Sequence, residues 1–109
     1  MIVETVTGVD IDGAVIQNYF RNLVNLFFKI LPMREDNEPS VVTYMESLQG
    51  ELLGCKALIE AINNDSSFLS LVAILQFLID NQDASHRRVR REVFRAISIC
   101  NKLAAKYSV

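Results

Sequence analysis

The sequence predicts an all-α domain, an up-and-down four-helix bundle with a short extended N-terminal arm, and three observations carry that expectation. Apolar residues recur at alternating steps of four and three along most of the chain, cap and turn residues interrupt that pattern at short intervals, and only the first residues have a strand-like composition. With 109 residues, half of them hydrophobic, and only four Gly and two Pro, the chain fits one domain over residues 1–109 with a core of its own. The same figures exclude disordered and collagen-like classes.

The arm, residues 1–13, is rich in Val, Ile and Thr from Ile2 to Val9 and is punctuated by Asp10, Asp12 and Gly13. No second strand pattern follows, so the arm is expected to be loosely ordered or to pair with the same arm of another subunit. The first helix, about 14–31, places Ile16, Phe20, Leu23, Phe27 and Ile30 on one face and Asn18, Asn22, Asn25 and Lys29 beside them. Asp12 fits its N-cap, and Pro32 is expected to end it. An acidic loop follows, Met33 to Pro39, with Arg34 against Glu35, Asp36 and Glu38.

The second helix, about 40–62, has the most regular seam: Val41, Met45, Leu48, Leu52, Cys55, Ile59 and Ile62. After a break at Asn63 to Ser66, residues 67–80 read as a third helix that is apolar almost all round, and so central or covered by a partner. Asn81 to Ser85 forms the last turn. The fourth helix, about 85–107, repeats the alternating steps through Val89, Val93, Ala96, Cys100, Leu103 and Tyr107. Short connections between four such helices give the up-and-down arrangement.

No secretion signal or membrane span is expected. Met1 to Gly13 carry no Lys or Arg, and the longest apolar stretch, Phe68 to Ile79, has twelve residues, against about 20 for a membrane span. A cytoplasmic protein with no membrane partner is expected. Cys55 and Cys100 lack CxxC spacing and read as buried free thiols, level in the core but on diagonal helices too far apart to bond. His86 is the only histidine, and Asp83 three residues before it is no adequate ligand set. No glycine-rich phosphate loop or paired-carboxylate face is visible, so no enzyme activity, metal or cofactor is expected.

Charge is the unusual feature. Residues 85–109 hold seven of the eleven Lys and Arg and only Glu92 among acids, whereas residues 1–84 hold four bases and twelve acids. Arg87 and Arg88 stand near a helix N-terminus, where each positive charge is disfavoured by about 0.3–1 kcal/mol, so a compensating anion is expected. Arg87, Arg91 and Arg95 recur every four residues, as phosphate tracking requires. The bundle topology offers a second source of anions: it sets this run beside Glu35, Asp36, Glu38, Asp80 and Asp83, while Glu92 lies at helical spacing from Arg88 and Arg95.

Two further features suggest self-association. Gly50, Gly54, Ala57 and Ala61, with Ser47, form a stripe of small residues about 150° from the seam of the second helix. This stripe either meets another backbone, in the chain or a second subunit, or is a solvent face or a seat for the arm. Val42, Leu53, Phe28, Phe94 and Ile99 fall outside the seams, and the third helix has almost no polar face. Self-association as a dimer accounts for this surplus, through the small stripe or through Phe68, Leu71 and Leu75; a wide monomer core around the third helix is the alternative.

The sequence therefore predicts a non-enzymatic, self-associating interaction or scaffold module. Arg87, Arg88, Arg90, Arg91 and Arg95 are expected to hold an acidic protein surface or an acidic patch of the second subunit. The alternative is a small nucleic-acid-binding regulator with Arg87, Arg91 and Arg95 on phosphates.

Overall fold

A computed structural model describes residues 2–107. It is mostly helical: α1 Gly13–Phe28, α2 Ile30–Glu35, α3 Val41–Leu58, α4 Glu60–Asn63, α5 Ser66–Asp80 and α6 His86–Lys106 follow two short strands, β1 Ile2–Glu4 and β2 Asp10–Asp12. The all-α class expected from the sequence holds, with corrections to three elements.

The arm neither stays loose nor waits for a second subunit. It folds on itself as an antiparallel hairpin, Ile2 opposite Asp12, Val3 opposite Ile11 and Glu4 opposite Asp10. Gly8, at φ +81°, supplies the left-handed residue of the turn. Thr5 Oγ1 accepts from the Val9 amide at 3.1 Å and closes it. Three-residue strands with an aspartate at each end of β2 leave no readable alternation, which is why the sequence hides the second strand.

The second correction concerns the helix expected over 40–62. It breaks at Ile59, whose backbone is extended at φ −114° and ψ 109°. The hairpin supplies the reason: the Val6 amide donates to the Leu58 carbonyl at 2.9 Å, and Thr5 bridges to Ile59. That carbonyl serves the arm rather than a following helical turn, yet Ile59 and Ile62 still enter the core.

The third correction is at Pro32, which does not end a helix. The helical path is interrupted only at Lys29, whose backbone stays right-handed at φ −61° and ψ −23°, and Pro32 occupies the third residue of α2, which runs on to Glu35. Within α2, Arg34 is buried rather than part of an acidic loop. Its guanidinium donates to the carbonyls of Leu78, Asn81 and Gln82 at 3.2, 3.3 and 2.9 Å. A planar cation thus satisfies one carbonyl in the last turn of α5 and two just beyond it, and ties α2 to the α5–α6 turn.

Side-chain caps begin α1, α6 and α5, whereas Ser40 makes none at the start of α3. Asp12 accepts from Ala14 at 3.0 Å, as the sequence suggests, Ser85 from Arg88 at 3.2 Å, and Asp65 from Ser67 and Phe68 at 2.8 and 3.2 Å. α1 runs antiparallel along α6, α6 along α5 and α5 along α3, while α1 and α3 approach less closely. Gln17 donates to the Ala104 carbonyl at 3.1 Å across the first pair, and Tyr44 to the Leu26 carbonyl at 2.7 Å across the open edge. Phe20 stands at the centre, stacked on Tyr107 at 5.9 Å and edge-on to Phe68 at 6.1 Å.

Asp65 also binds Lys106 at 2.6 Å and so joins the start of α5 to the end of α6. Burial opposes its charge, but Lys106 and the two cap amides outweigh burial and hold its carboxyl below the ordinary value. The folded pKa lies below the unfolded one, so this stabilisation is complete above the ordinary carboxylate range, near 4, and disappears as the pH falls through the folded value. Asp65→Ala is expected to lower unfolding free energy by about 1–2 kcal/mol at pH 7 and by less in acid, measured by urea denaturation at both pH values. Arg34→Lys is expected to lose at least about 1.5 kcal/mol in the same measurement, because an ammonium does not span three carbonyls.

Candidate functional site

The basic run occupies the first three turns of α6, and its arginines divide into two sets. Val89 and Val93 turn inward, and between them Glu92 is only 6% exposed. That buried carboxylate holds Arg88 at 3.5 Å and Arg95 at 3.3 Å, on the flank facing α5. Arg88 also lies over the Phe77 ring at 4.7 Å. Both arginines are spent on α5–α6 packing, as their spacing from Glu92 suggests.

Arg90 reaches Glu35 at 3.5 Å, with both side chains exposed, so water screens most of that attraction. This contact does set the start of α6 at the same end as α2. Arg87 and Arg91 stand on the outer face and hold no ion pair among the described residues. The face shared by Arg87, Arg91 and Arg95 is therefore divided, with Arg95 drawn toward Glu92.

Below Arg91 the outer stripe of α6 continues through Phe94, Ser98 and Lys102 at helical steps. Phe94 is 46% exposed and meets Phe28 of α1, itself 40% exposed, edge-on at 5.6 Å. This pair lies on the surface. Arg21 falls between Gln17, which bonds to α6, and Phe28, which touches it, and so stands on the same flank of α1.

Pairing α1 with α6 joins two stretches that lack exposed acids. From Gly13 to Arg34 the chain has three bases and no acid, and from His86 to Lys106 seven bases and Glu92 alone. Of these ten bases, Arg34 is buried, and Arg88, Arg90, Arg95 and Lys106 have carboxylate partners. Arg21, Lys29, Arg87, Arg91 and Lys102 are left exposed without a carboxylate partner; Arg21 shares the flank of Phe28, whereas Lys102 lines a groove with Asn64 to Ser67 at the start of α5.

Sequence reasoning found Arg87 and Arg91 but missed Arg21, Lys29, Lys102 and the role of the two phenylalanines. The usable signal was an absence, the run of 22 residues without a carboxylate from Gly13 to Arg34, which includes the whole first helix. It gains meaning only when that helix lies beside the last.

The residues expected at a subunit contact separate equally clearly. Phe68, Leu71 and Leu75 are fully buried in this chain's own core and present no surface, which corrects their assignment to an interface. α5 hides its apolar side between α3 and α6, so its lack of polar residues needs no second subunit. Gly50, Gly54, Ala57 and Ala61 are exposed, and a Cβ at either glycine meets nothing within 4 Å. Only Ala61 borders the arm, in a groove with Ile2, Val3 and Glu4.

Neither cysteine is poised for chemistry. Burial raises the thiol pKa of half-buried Cys55, with help from Glu51, to about 11, and that of Cys100 to about 12, so both stay protonated at neutral pH. Among the described residues, no helix is long and apolar enough to cross a membrane. Comparison with protein-family models, curated proteins and solved structures gives no match.

Open space at the two glycines has a direct consequence for stability. Gly50→Ala and Gly54→Ala are each expected to raise unfolding free energy by about 0.5–1 kcal/mol, measured by chemical denaturation at low protein concentration. A loss at either position would mean that another backbone touches α3 there.

Proposed function

We propose that this chain is a non-enzymatic, self-associating helical interaction module, built as an up-and-down four-helix bundle, and that the outer face of α1 and α6 is its working surface. The short α2 and α4 are then turns appended to the long helices. The partner is an acidic protein surface, and a reducing compartment such as the cytoplasm suits the two free thiols.

The observation that carries this reading is the exposed Phe28–Phe94 pair on the face that also bears Arg21, Arg87 and Arg91, with no acid between them. Arginine and aromatic side chains are enriched where protein interfaces make their central contacts. A protein surface supplies both carboxylates for the bases and apolar groups for the rings. A duplex supplies only the first, and its phosphates would run past Glu35, Asp36 and Glu38 beside the start of α6.

The test uses a labelled helical peptide with Glu at four-residue spacing around a central Leu, and a duplex DNA of similar length, in fluorescence anisotropy at low salt. Peptide binding is expected, with Arg87→Glu/Arg91→Glu weakening it at least tenfold, or about 1.4 kcal/mol, and Phe94→Ala also weakening it. Lys56→Glu, on α3, is expected to leave it unchanged. No peptide binding, or binding indifferent to the arginine reversal, contradicts the reading. Tighter binding of the duplex, with affinity falling steeply with salt, assigns the face to nucleic acid instead.

A further inference from the structure

The face opposite the basic one has the complementary pattern. Gln49 of α3 donates to the Val72 carbonyl of α5 at 3.3 Å and to Gln76 Oε1 at 3.0 Å, which fixes the register of these antiparallel helices. One helical turn further along α3, Leu53 is level with Leu69 of α5. Both point outward, 47% and 43% exposed. Gly50, Gly54, Ala57 and Ala73 surround them, all exposed, so the surface near the two leucines is low and open.

Acids predominate on these elements. Residues 41–80 contain five acids and Lys56 as the only base, and Glu46, Glu60 and Asp80 are exposed. Along α3, Glu46 stands seven positions before Leu53, and Asp80 at the end of α5 lies toward the same end of the face. Along α6, Arg87 likewise stands seven positions before Phe94. At 1.5 Å per residue each charge lies about 10 Å from the apolar centre of its own face. At this end the two faces match in spacing and oppose each other in sign.

Resting on the reading above, we infer that the acidic partner of the α1–α6 face is the α3–α5 face of a second copy of this chain. Phe28 and Phe94 sit over Leu53 and Leu69, and Arg87 and Arg91 face Glu46 and Asp80. A two-helix face about 30 Å long and 20 Å wide covers about 600 Å² per partner, at the lower end of specific interfaces, so the assembly is concentration-dependent and weakened by salt. Because the two faces differ, each copy retains one free face after pairing. The contact is heterologous, and it extends into a ring or a filament rather than stopping at a two-fold dimer.

Sedimentation velocity on purified protein tests this with two folded variants, their helicity checked by circular dichroism. Arg87→Glu/Arg91→Glu disables the basic face, and Glu46→Lys/Leu53→Lys disables the acidic one. The wild type is expected to form a concentration-dependent series beyond the dimer at low salt. Each variant alone is expected to be monomeric, and an equal mixture is expected to give one discrete dimer, because one intact face of each kind remains. A wild type that stays monomeric to millimolar concentration overturns the inference, as does either variant dimerising alone. If the wild type is monomeric but binds the acidic peptide through Arg87 and Arg91, the inference and the self-association fail while the α1–α6 face stands as a binding surface for an acidic protein; if peptide binding is also missing, both fail.

Discussion

Phe20 marks the place where the two ends of the chain meet, and the closure made there decides what the surface becomes. Its ring, fully buried, stacks on Tyr107 and touches Phe68, so the first helix, the last helix and the start of α5 share one aromatic cluster. Burying a phenylalanine contributes about 1.5–3 kcal/mol, and closing a loop of some eighty residues costs only slowly more than closing a short one. Gln17 on the Ala104 carbonyl and Phe28 on Phe94 extend the closure along both helices. Without it the carboxylate-free first helix and the arginine-rich last helix would be unrelated segments.

Charge is then sorted by the fold rather than by the sequence alone. Glu92, the only acid of α6, is turned inward and shared by two arginines, so it neutralises the flank against α5 and leaves the outer face uniformly basic. Acids collect on α3, on α5, in the hairpin and in the turn after α2. A molecule with a formal charge of −2 thereby carries two faces of opposite sign. Exposed pairs contribute little stability within one chain, so this separation has more consequence for encounter and orientation of partners than for folding.

Much of the core was legible because helical periodicity reports burial directly. Ile16, Phe20, Leu23, Phe27 and Ile30 are all buried, as are Val89, Val93, Ala96, Cys100, Leu103 and Tyr107. The breaks were not legible, because their causes lie far away in sequence: the α3 break depends on a hydrogen bond from Val6, and the buried state of Arg34 on carbonyls more than forty residues later. The pairing of Arg88 and Arg95 with Glu92 was readable, being local to one helix. The second half of the candidate surface was not, since a lack of acids in α1 acquires a role only beside α6.

Amide chemical-shift mapping of the isotopically labelled Glu46→Lys/Leu53→Lys variant, expected to be monomeric, titrated with the unlabelled acidic peptide, addresses the two-helix surface most directly. Shifts are expected to appear together over residues 87–102 of α6 and 17–29 of α1, leaving the exposed face of α3 unmoved. Shifts confined to α6, or centred on α3 and α5, would contradict a binding face made by the first and last helices together.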